Sequence, residues 1–214
     1  MSYLLKIGKI YYLLFIVSLY VILNIVFNHV FMSESFVSQW YEGVLSQIQI
    51  QEAISFFSKW EWTMIIFNII LIFIKILSVS ACLYIGTFFF LNQNNPYKIY
   101  FNITLKAEIV FVCVFIVRIL WLRFINLPES LAEIHVWPLS LMYFFNPETI
   151  EPWLIYPLNT LNVFELLYIC MLSALMAVVI KIKFRKAFDL VFMSYGAGLL
   201  LLMVAQMFLI LNNS

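Results

Sequence analysis

The feature that most constrains this chain is a pair of apolar runs, residues 162–180 and 187–211, separated by a basic cluster at residues 181–186. A hydrocarbon core about 30 Å thick needs about 20 helical residues to cross it, and each run is about that long. Both runs are therefore predicted to span a membrane. Because Lys and Arg collect in the cytoplasmic loops of membrane proteins, the cluster predicts that this turn faces the cytoplasm.

The composition agrees with several crossings. The chain is 65% hydrophobic and 11% charged, whereas soluble domains are about 45–50% apolar and about 25% charged. A bundle of spans uses up nearly all of the 214 residues and leaves no room for a soluble domain of ordinary size. We therefore predict one transmembrane bundle over residues 1–214. With a net charge of +1, the chain lacks the concentrated basic face that nucleic-acid binding needs. The predicted partner is therefore the lipid bilayer and not a nucleic acid.

The alternation of charge along the chain predicts the topology. Lysines precede the first apolar run and lie between the second and third, whereas residues 33–61 and 128–161 are rich in glutamate and almost free of cations. The N-terminus is therefore predicted in the cytoplasm and the C-terminus outside, in an all-α protein. The five predicted transmembrane helices are residues 10–32, 62–91, 107–127, 162–180 and 187–211.

The two outer segments have their own patterns. Val37, Tyr41, Val44 and Ile48 recur at helical spacing with polar residues between them, which predicts an amphipathic outer helix at about residues 35–57. It would lie on the bilayer or over the bundle, or form a docking face for another protein. The second segment is too aromatic and proline-rich for a solvated loop and predicts short interfacial or re-entrant pieces covered by protein.

Two cations fall near the middle of predicted spans, Lys75 in the second and Arg118 in the third. A cation at that depth costs between about 2.5 and more than 10 kcal/mol before relaxation, so it should find a partner inside the bundle. No acid is evident for Lys75, because Glu108 and Asp189 are expected at the cytoplasmic ends of their spans. Three kinds of partner are possible for these cations. The first is polar groups of the chain itself, namely backbone carbonyls, Asn24 or Asn68. The second is an anionic ligand such as a lipid phosphate or a carboxylate, and the third is an acidic residue on a partner's transmembrane helix.

Glu165 opens the fourth predicted span, where an acid stabilises a helix N-terminus and Asn162 can cap it. It is expected to meet Arg123, and a catalytic or proton-carrying role is the alternative. His135 and His29 have no metal-like spacing. No hydrolase, protease or nucleotide-binding motif is present. The sequence thus predicts no cofactor, no metal and no enzyme; a membrane enzyme using Glu165 and His135 ranks third.

Small residues at Ser194 and at Gly196-Ala197-Gly198 predict a close contact between helices in the fifth span. Three cysteines lie in apolar runs without a CxxC pattern and are expected to serve in packing.

The block from Leu161-Asn162-Val163-Phe164-Glu165 through Phe184-Arg185-Lys186-Ala187-Phe188 resembles the end of the Yip (Ypt-interacting protein) family. In that family a polar and aromatic entry opens the penultimate helix, a basic turn followed by Lys-Ala opens the last, and the number of spans is similar. The resemblance covers about the last 55 residues. It implies a non-enzymatic membrane protein that works through partners, which in eukaryotes are trafficking GTPases.

These observations predict an accessory or assembly subunit of a membrane complex. Its outer segments would be docking surfaces. The frequent use of Ile, Phe, Asn and Lys indicates an AT-rich bacterial genome, which predicts a location in a bacterial inner membrane. The alternative is a transporter or flippase component that handles an anionic lipid or solute. The predicted contacts to partner or ligand are Lys75, Arg118, Arg123 and Glu165.

Overall fold

The structure is a computed structural model that describes residues 9–31, 38, 46–128, 131–146 and 149–213. Within these residues the backbone is helical, with one isolated β-bridge between Ser140 and Asn162 and no strand. The predicted all-α class is therefore confirmed. The helices are α1 (Lys9–Phe31), α2 (Gln47–Leu91), α3 (Tyr97–Ala107), α4 (Ile109–Phe124), α5 (Leu131–Ile134), a 3-10 helix (Leu141–Phe144), α6 (Pro152–Thr160), α7 (Val163–Ile180) and α8 (Phe184–Asn213).

Four helices in the described part of the chain, α1, α2, α7 and α8, are long and apolar enough to cross a membrane. Their outward faces carry large apolar side chains, such as Phe89 at 76% exposure and Leu201 at 72%. Such faces suit lipid as the surrounding solvent, since lipid is as apolar as they are. The helices predicted at residues 10–32, 162–180 and 187–211 are confirmed as α1, α7 and α8.

The second predicted span is part of a longer helix. Ser46 and Gln49 form a capping box: Gln49 N donates to Ser46 Oγ at 3.4 Å, and Ser46 N donates to Gln49 Oε1 at 2.9 Å. From this cap α2 runs for 45 residues, or about 68 Å, because no proline interrupts it. The prediction of a separate amphipathic helix at residues 35–57 is thus wrong from Gln47 onward, where the chain already belongs to α2. Of the rest of that range, residues 35–37 and 39–45 lie outside the described residues.

The third predicted span, 107–127, is also different. Its residues lie mainly on α4, which begins just after Glu108 and ends at Phe124, whereas α3 ends just before Glu108. The segment before Glu108 was expected to be a polar connection, but it forms α3, whose inner face is buried against the other helices. The 16 residues of α4 are fewer than a span needs. Together, α3 and α4 make a helical stretch broken only at Glu108.

The main core joins α2, α3, α7 and α8 around fully buried Leu83, Tyr100, Leu172 and Val191. A second cluster packs α1 against α2, α3 and α4, with Ile16 among its buried residues. The chain thus closes one bundle around the α2–α3 pair. In that pair later residues of α3 meet earlier residues of α2, so the two helices are antiparallel.

Close approach of α2 and α8 depends on small side chains. A Cβ atom on Gly86 would overlap Ser194 Cβ, and one on Gly198 would lie 2.8 Å from Cys82 Sγ. The predicted helix contact is therefore confirmed for Ser194 and Gly198. Gly196 takes no part in it, since a Cβ there would meet no atom within 4 Å.

The segment predicted to lie outside contains short helices in residues 131–146 and 149–162; we keep the name outer segment for it, and its interfacial or re-entrant placement stays a prediction. Its irregular backbone is pinned to the start of α7 by two hydrogen bonds, from Leu141 N to Leu161 O (3.0 Å) and from Val163 N to Leu139 O (3.3 Å). Asn159 adds two more: its Oδ1 accepts from Trp137 N at 3.0 Å, and its Nδ2 donates to His135 O at 3.2 Å. These bonds hold the segment over one end of the bundle.

Candidate functional site: a buried ion pair and its tyrosines

Lys75 of α2 and Glu108 at the α3–α4 junction form an ion pair inside the bundle. Lys75 Nζ lies 3.2 Å from both carboxylate oxygens of Glu108. The Glu108 side chain is fully buried, and that of Lys75 is one-third exposed. The prediction that Lys75 lacks an evident partner in its own chain is therefore wrong, because α3 packs inside the bundle and brings Glu108 beside α2.

Two tyrosines complete the surroundings of Glu108. Tyr168 of α7 donates its hydroxyl to Oε1 at 3.1 Å, and Tyr20 of α1 donates to Oε2 at 3.5 Å. Lys75 Nζ also lies 3.1 Å from the centroid of the Phe111 ring, an attractive cation–π arrangement. A buried charge is tolerated only when it is both paired and hydrogen-bonded, and this carboxylate has both kinds of partner.

Glu165 belongs to a neighbouring pair. Asn162 caps α7, as predicted, by accepting from Glu165 N at 2.8 Å. The Glu165 carboxylate does not return to the cap; it accepts from the Tyr195 hydroxyl on α8. The expected contact with Arg123 is not formed, and Arg123 lies exposed on α4. The carboxylate therefore joins α7 to α8.

The two tyrosine–glutamate pairs adjoin. The rings of Tyr168 and Tyr195 meet edge to face, with centroids 5.6 Å apart and an interplanar angle of 73°. Through this contact the ion pair and the second carboxylate form one buried cluster that links α1, α2, the α3–α4 junction, α7 and α8. We call it the tyrosine–glutamate cluster; its members are Tyr20, Lys75, Glu108, Glu165, Tyr168 and Tyr195.

Arg118 is held differently. Its Nη2 donates to the backbone oxygen of Ile134 at 2.6 Å, and the guanidinium carbon lies 5.1 Å from the Phe27 centroid and 4.5 Å from that of Trp137. A contact with a backbone carbonyl was one of the predicted outcomes for the two cations, and Arg118 makes such a contact. The asparagines proposed as partners instead bond to each other, with Asn68 Nδ2 3.4 Å from Asn24 Oδ1.

His135 lies beside this arginine in the outer segment. Partial burial lowers the pKa of His135 below its usual value, and the positive charge of Arg118 lowers it further. The imidazole is therefore neutral at pH 7. Its backbone oxygen, and not the ring, makes the contact to Asn159 described above.

Sequence reasoning missed four members of the cluster: Glu108 and its tyrosine partners, and Tyr195. One signal was available. Glu165 and Tyr168 lie three residues apart, on one face of a helix, and a tyrosine hydroxyl buried in an apolar span needs an acceptor. The position of Glu108 could not be read in this way, since it depends on α3 entering the bundle.

The fold and this cluster define a class: an all-helical protein whose longest helices are apolar enough to cross a membrane, joined by buried polar contacts. Comparisons of the chain with models of known families, with curated proteins and with solved structures find no match.

Proposed function

We propose that the protein crosses a bacterial inner membrane five times and acts, without catalysis, as an accessory or assembly subunit of a membrane complex. The third crossing would be the α3–α4 stretch, in which Lys75 neutralises Glu108. The alternation of basic and acidic connections supports a cytoplasmic N-terminus and an outer C-terminus. Reporter tags at Asn94 and Lys183 are then expected in the same compartment; opposite compartments would contradict an odd number of crossings.

The polar contacts of the bundle favour the role of a subunit over that of a transporter. Lys75 is neutralised by Glu108, and Arg118 contacts a carbonyl and two rings of its own chain. Transport of an anionic lipid or solute past these cations would require the contacts to break. The alternative role as a transporter or flippase component therefore has less support than the subunit role.

The observation that carries the proposal is the length of α2. Trp60 and Trp62 are 44% and 65% exposed, and tryptophans in membrane proteins concentrate at the interface. If they mark the bilayer surface, residues 47–59 extend about 20 Å beyond it. We call these residues the α2 extension. Ile48 and Phe56 are exposed there by 71% and 56%, and apolar surface in water marks a site for another protein.

Photo-cross-linking of the full chain in its native membrane tests this proposal. A photoreactive residue at Ile48 or at Phe56 is expected to capture the same membrane protein, which should also co-purify at fixed stoichiometry in mild detergent. The matched control is Phe67, which is as exposed as Phe56 (56%) and lies five residues past Trp62, inside the apolar part of α2; it should label lipid only. Phe56→Ser should release the partner and Phe67→Ser should not. A chain that purifies alone, with lipid adducts at all three positions, would contradict the proposal.

The resemblance of residues 161–188 to the Yip family supports a role through partners in the same sense. It remains a prediction, and the captured protein would test it: a GTPase bound to the cytoplasmic side would favour the Yip-like role over docking at the α2 extension.

A further inference from the structure

A groove of about 620 Å³ lies between α7, α8 and the outer segment. Its walls are apolar, with Leu166 and Ile169 from α7 and Phe192, Leu200 and Met203 from α8. The polar groups among its lining residues belong to Thr160, Asn162 and Glu165, all at the end where α7 begins. The groove therefore has an apolar length and one polar end.

Its depth matches one leaflet of a bilayer. The stretch of α8 from Phe192 to Met203 is about 17 Å long at the helical rise, and half of a hydrocarbon core is about 15 Å. The polar end lies by the cap of α7, away from the basic turn at residues 181–183. If α7 and α8 cross the membrane, the groove opens to the acyl chains of the leaflet remote from that turn, and not to water.

Gly196 enlarges the groove. Unlike Gly86 and Gly198, whose missing side chains allow α2 and α8 to meet, Gly196 lines the groove and faces open space. A glycine costs a helix up to about 1 kcal/mol relative to alanine, and no helix contact here requires one. The room that it leaves is in the groove.

Glu165 gives the polar end its chemistry. It is 9% exposed and lines the groove. Tyr195 donates to its Oε1, and among the described residues no donor to Oε2 is seen. The other buried carboxylate, Glu108, is neutralised by Lys75. No cation lies within ion-pair distance of Glu165 among the described residues, so the free side of this carboxyl group suits a ligand group that is cationic and donates a hydrogen bond.

We propose that this groove binds an acyl chain of an amine-bearing phospholipid, with the primary ammonium of the head group donating to the Glu165 carboxylate. The apolar length fits a chain from one leaflet, and the acid fits an ethanolamine head. A choline head has no N–H to donate, so the site should distinguish the two. This inference does not depend on the partner proposed for the α2 extension.

The test uses the purified full chain in phosphatidylcholine vesicles with traces of phospholipid that carries a photoreactive acyl chain and either an ethanolamine or a choline head. The ethanolamine probe is expected to label residues 192–203 at least about threefold more than the choline probe, the scale of one modest charge-assisted bond. Glu165→Gln should bring the two yields close together, whereas Asp189→Asn, at an exposed carboxylate outside the groove, should not.

Filling the groove gives a second measurement. Gly196→Phe is expected to abolish labelling of residues 192–203 by both probes. Val204→Phe, at a position 61% exposed and outside the groove, should leave it unchanged. Equal labelling of the wild-type chain by the two heads would overturn the proposal without any variant. Labelling that persists in Gly196→Phe would also overturn it.

Discussion

The two cations that the sequence places near the middle of predicted spans, Lys75 and Arg118, are stabilised in different ways. Lys75 meets a carboxylate on a neighbouring helix, with tyrosine hydroxyls from α1 and α7 bonded to that carboxylate. Arg118 meets a backbone carbonyl of the outer segment and two aromatic faces. The first arrangement joins five elements around one carboxylate cluster, and the second fastens a short connecting segment to the ends of α4 and α1.

The difference follows from the chemistry of the two side chains. A lysine ammonium is a compact charge that a single carboxylate can neutralise, whereas a guanidinium is planar, stacks on rings and donates in several directions. The Lys75 contact should therefore matter to the whole bundle and the Arg118 contact to one end of it.

The largest expected effect comes from removing the carboxylate. Glu108→Leu leaves Lys75 unpaired in the bundle, and loss of one partner from a buried pair costs about 3–5 kcal/mol. The measurement is the free energy of unfolding in mixed micelles titrated with a denaturing detergent. Glu151→Leu, at an exposed acid before α6, is the control and should change little. A loss of less than about 1 kcal/mol, the scale of an exposed pair, would mean that the pair contributes no more than a surface ion pair does.

Removing the guanidinium should have a smaller and more local effect. Arg118→Leu loses a charged hydrogen bond, which is typically worth about 1.5–3 kcal/mol. Hydrogen–deuterium exchange should rise in residues 131–146 while α2 and α7 stay protected. Arg123→Leu, at an exposed position on the same helix, should leave the exchange unchanged. Exchange that rises throughout the bundle would show that the two cations have the same role.

Helix packing on the Lys75 side can be tested with two glycines. In Gly86→Ala the new Cβ meets Ser194, and such overpacking costs about 1–3 kcal/mol, offset by up to about 1 kcal/mol of helix propensity. Gly196→Ala meets no atom within 4 Å and should be neutral or slightly stabilising. Thermal unfolding of both variants in detergent makes the comparison. Equal effects would mean that α2 and α8 are not in close contact at Gly86.

The smallest effect is expected from pH on the Arg118 side. The pKa of His135 is lowered in the folded chain by burial and by Arg118, so below its usual pKa of about 6.5 the unfolded chain binds the proton more readily. The outer segment should therefore lose stability as pH falls through that value and change little above it. Exchange of residues 131–146 at two pH values, corrected for the intrinsic rate, measures this. His135→Gln should abolish the dependence, and a segment that becomes more stable in acid would contradict it.

Much of the fold could be predicted because the signals are local. Length and hydropathy were enough for α1, α7 and α8, and the Asn162 cap followed from its place before an apolar run. The extent of α2 could not be predicted in the same way. The polar stretch before Trp62 favoured a break there, but α2 begins at the Ser46 capping box and continues through that stretch.

The candidate site was predicted in part for a physical reason. Lys75, Arg118 and Glu165 stood out because charge is expensive in an apolar helix. The partner of Lys75 was missed because Glu108 follows two lysines that suggested a cytoplasmic connection, and only the packing of α3 on α2 brings it inside. Tertiary contacts of this kind have no signature in a single segment.

A double variant tests the buried pair most directly. Lys75→Met combined with Glu108→Leu removes both charges and keeps the side chains of similar size. If the two groups neutralise each other, the double variant should lose less unfolding free energy than Glu108→Leu alone, because no unpaired charge remains. The loss that stays comes from the Tyr20 and Tyr168 hydroxyls, which have no carboxylate acceptor in either variant. If the double variant instead loses the sum of the two single effects, Lys75 and Glu108 do not form a pair in the bundle.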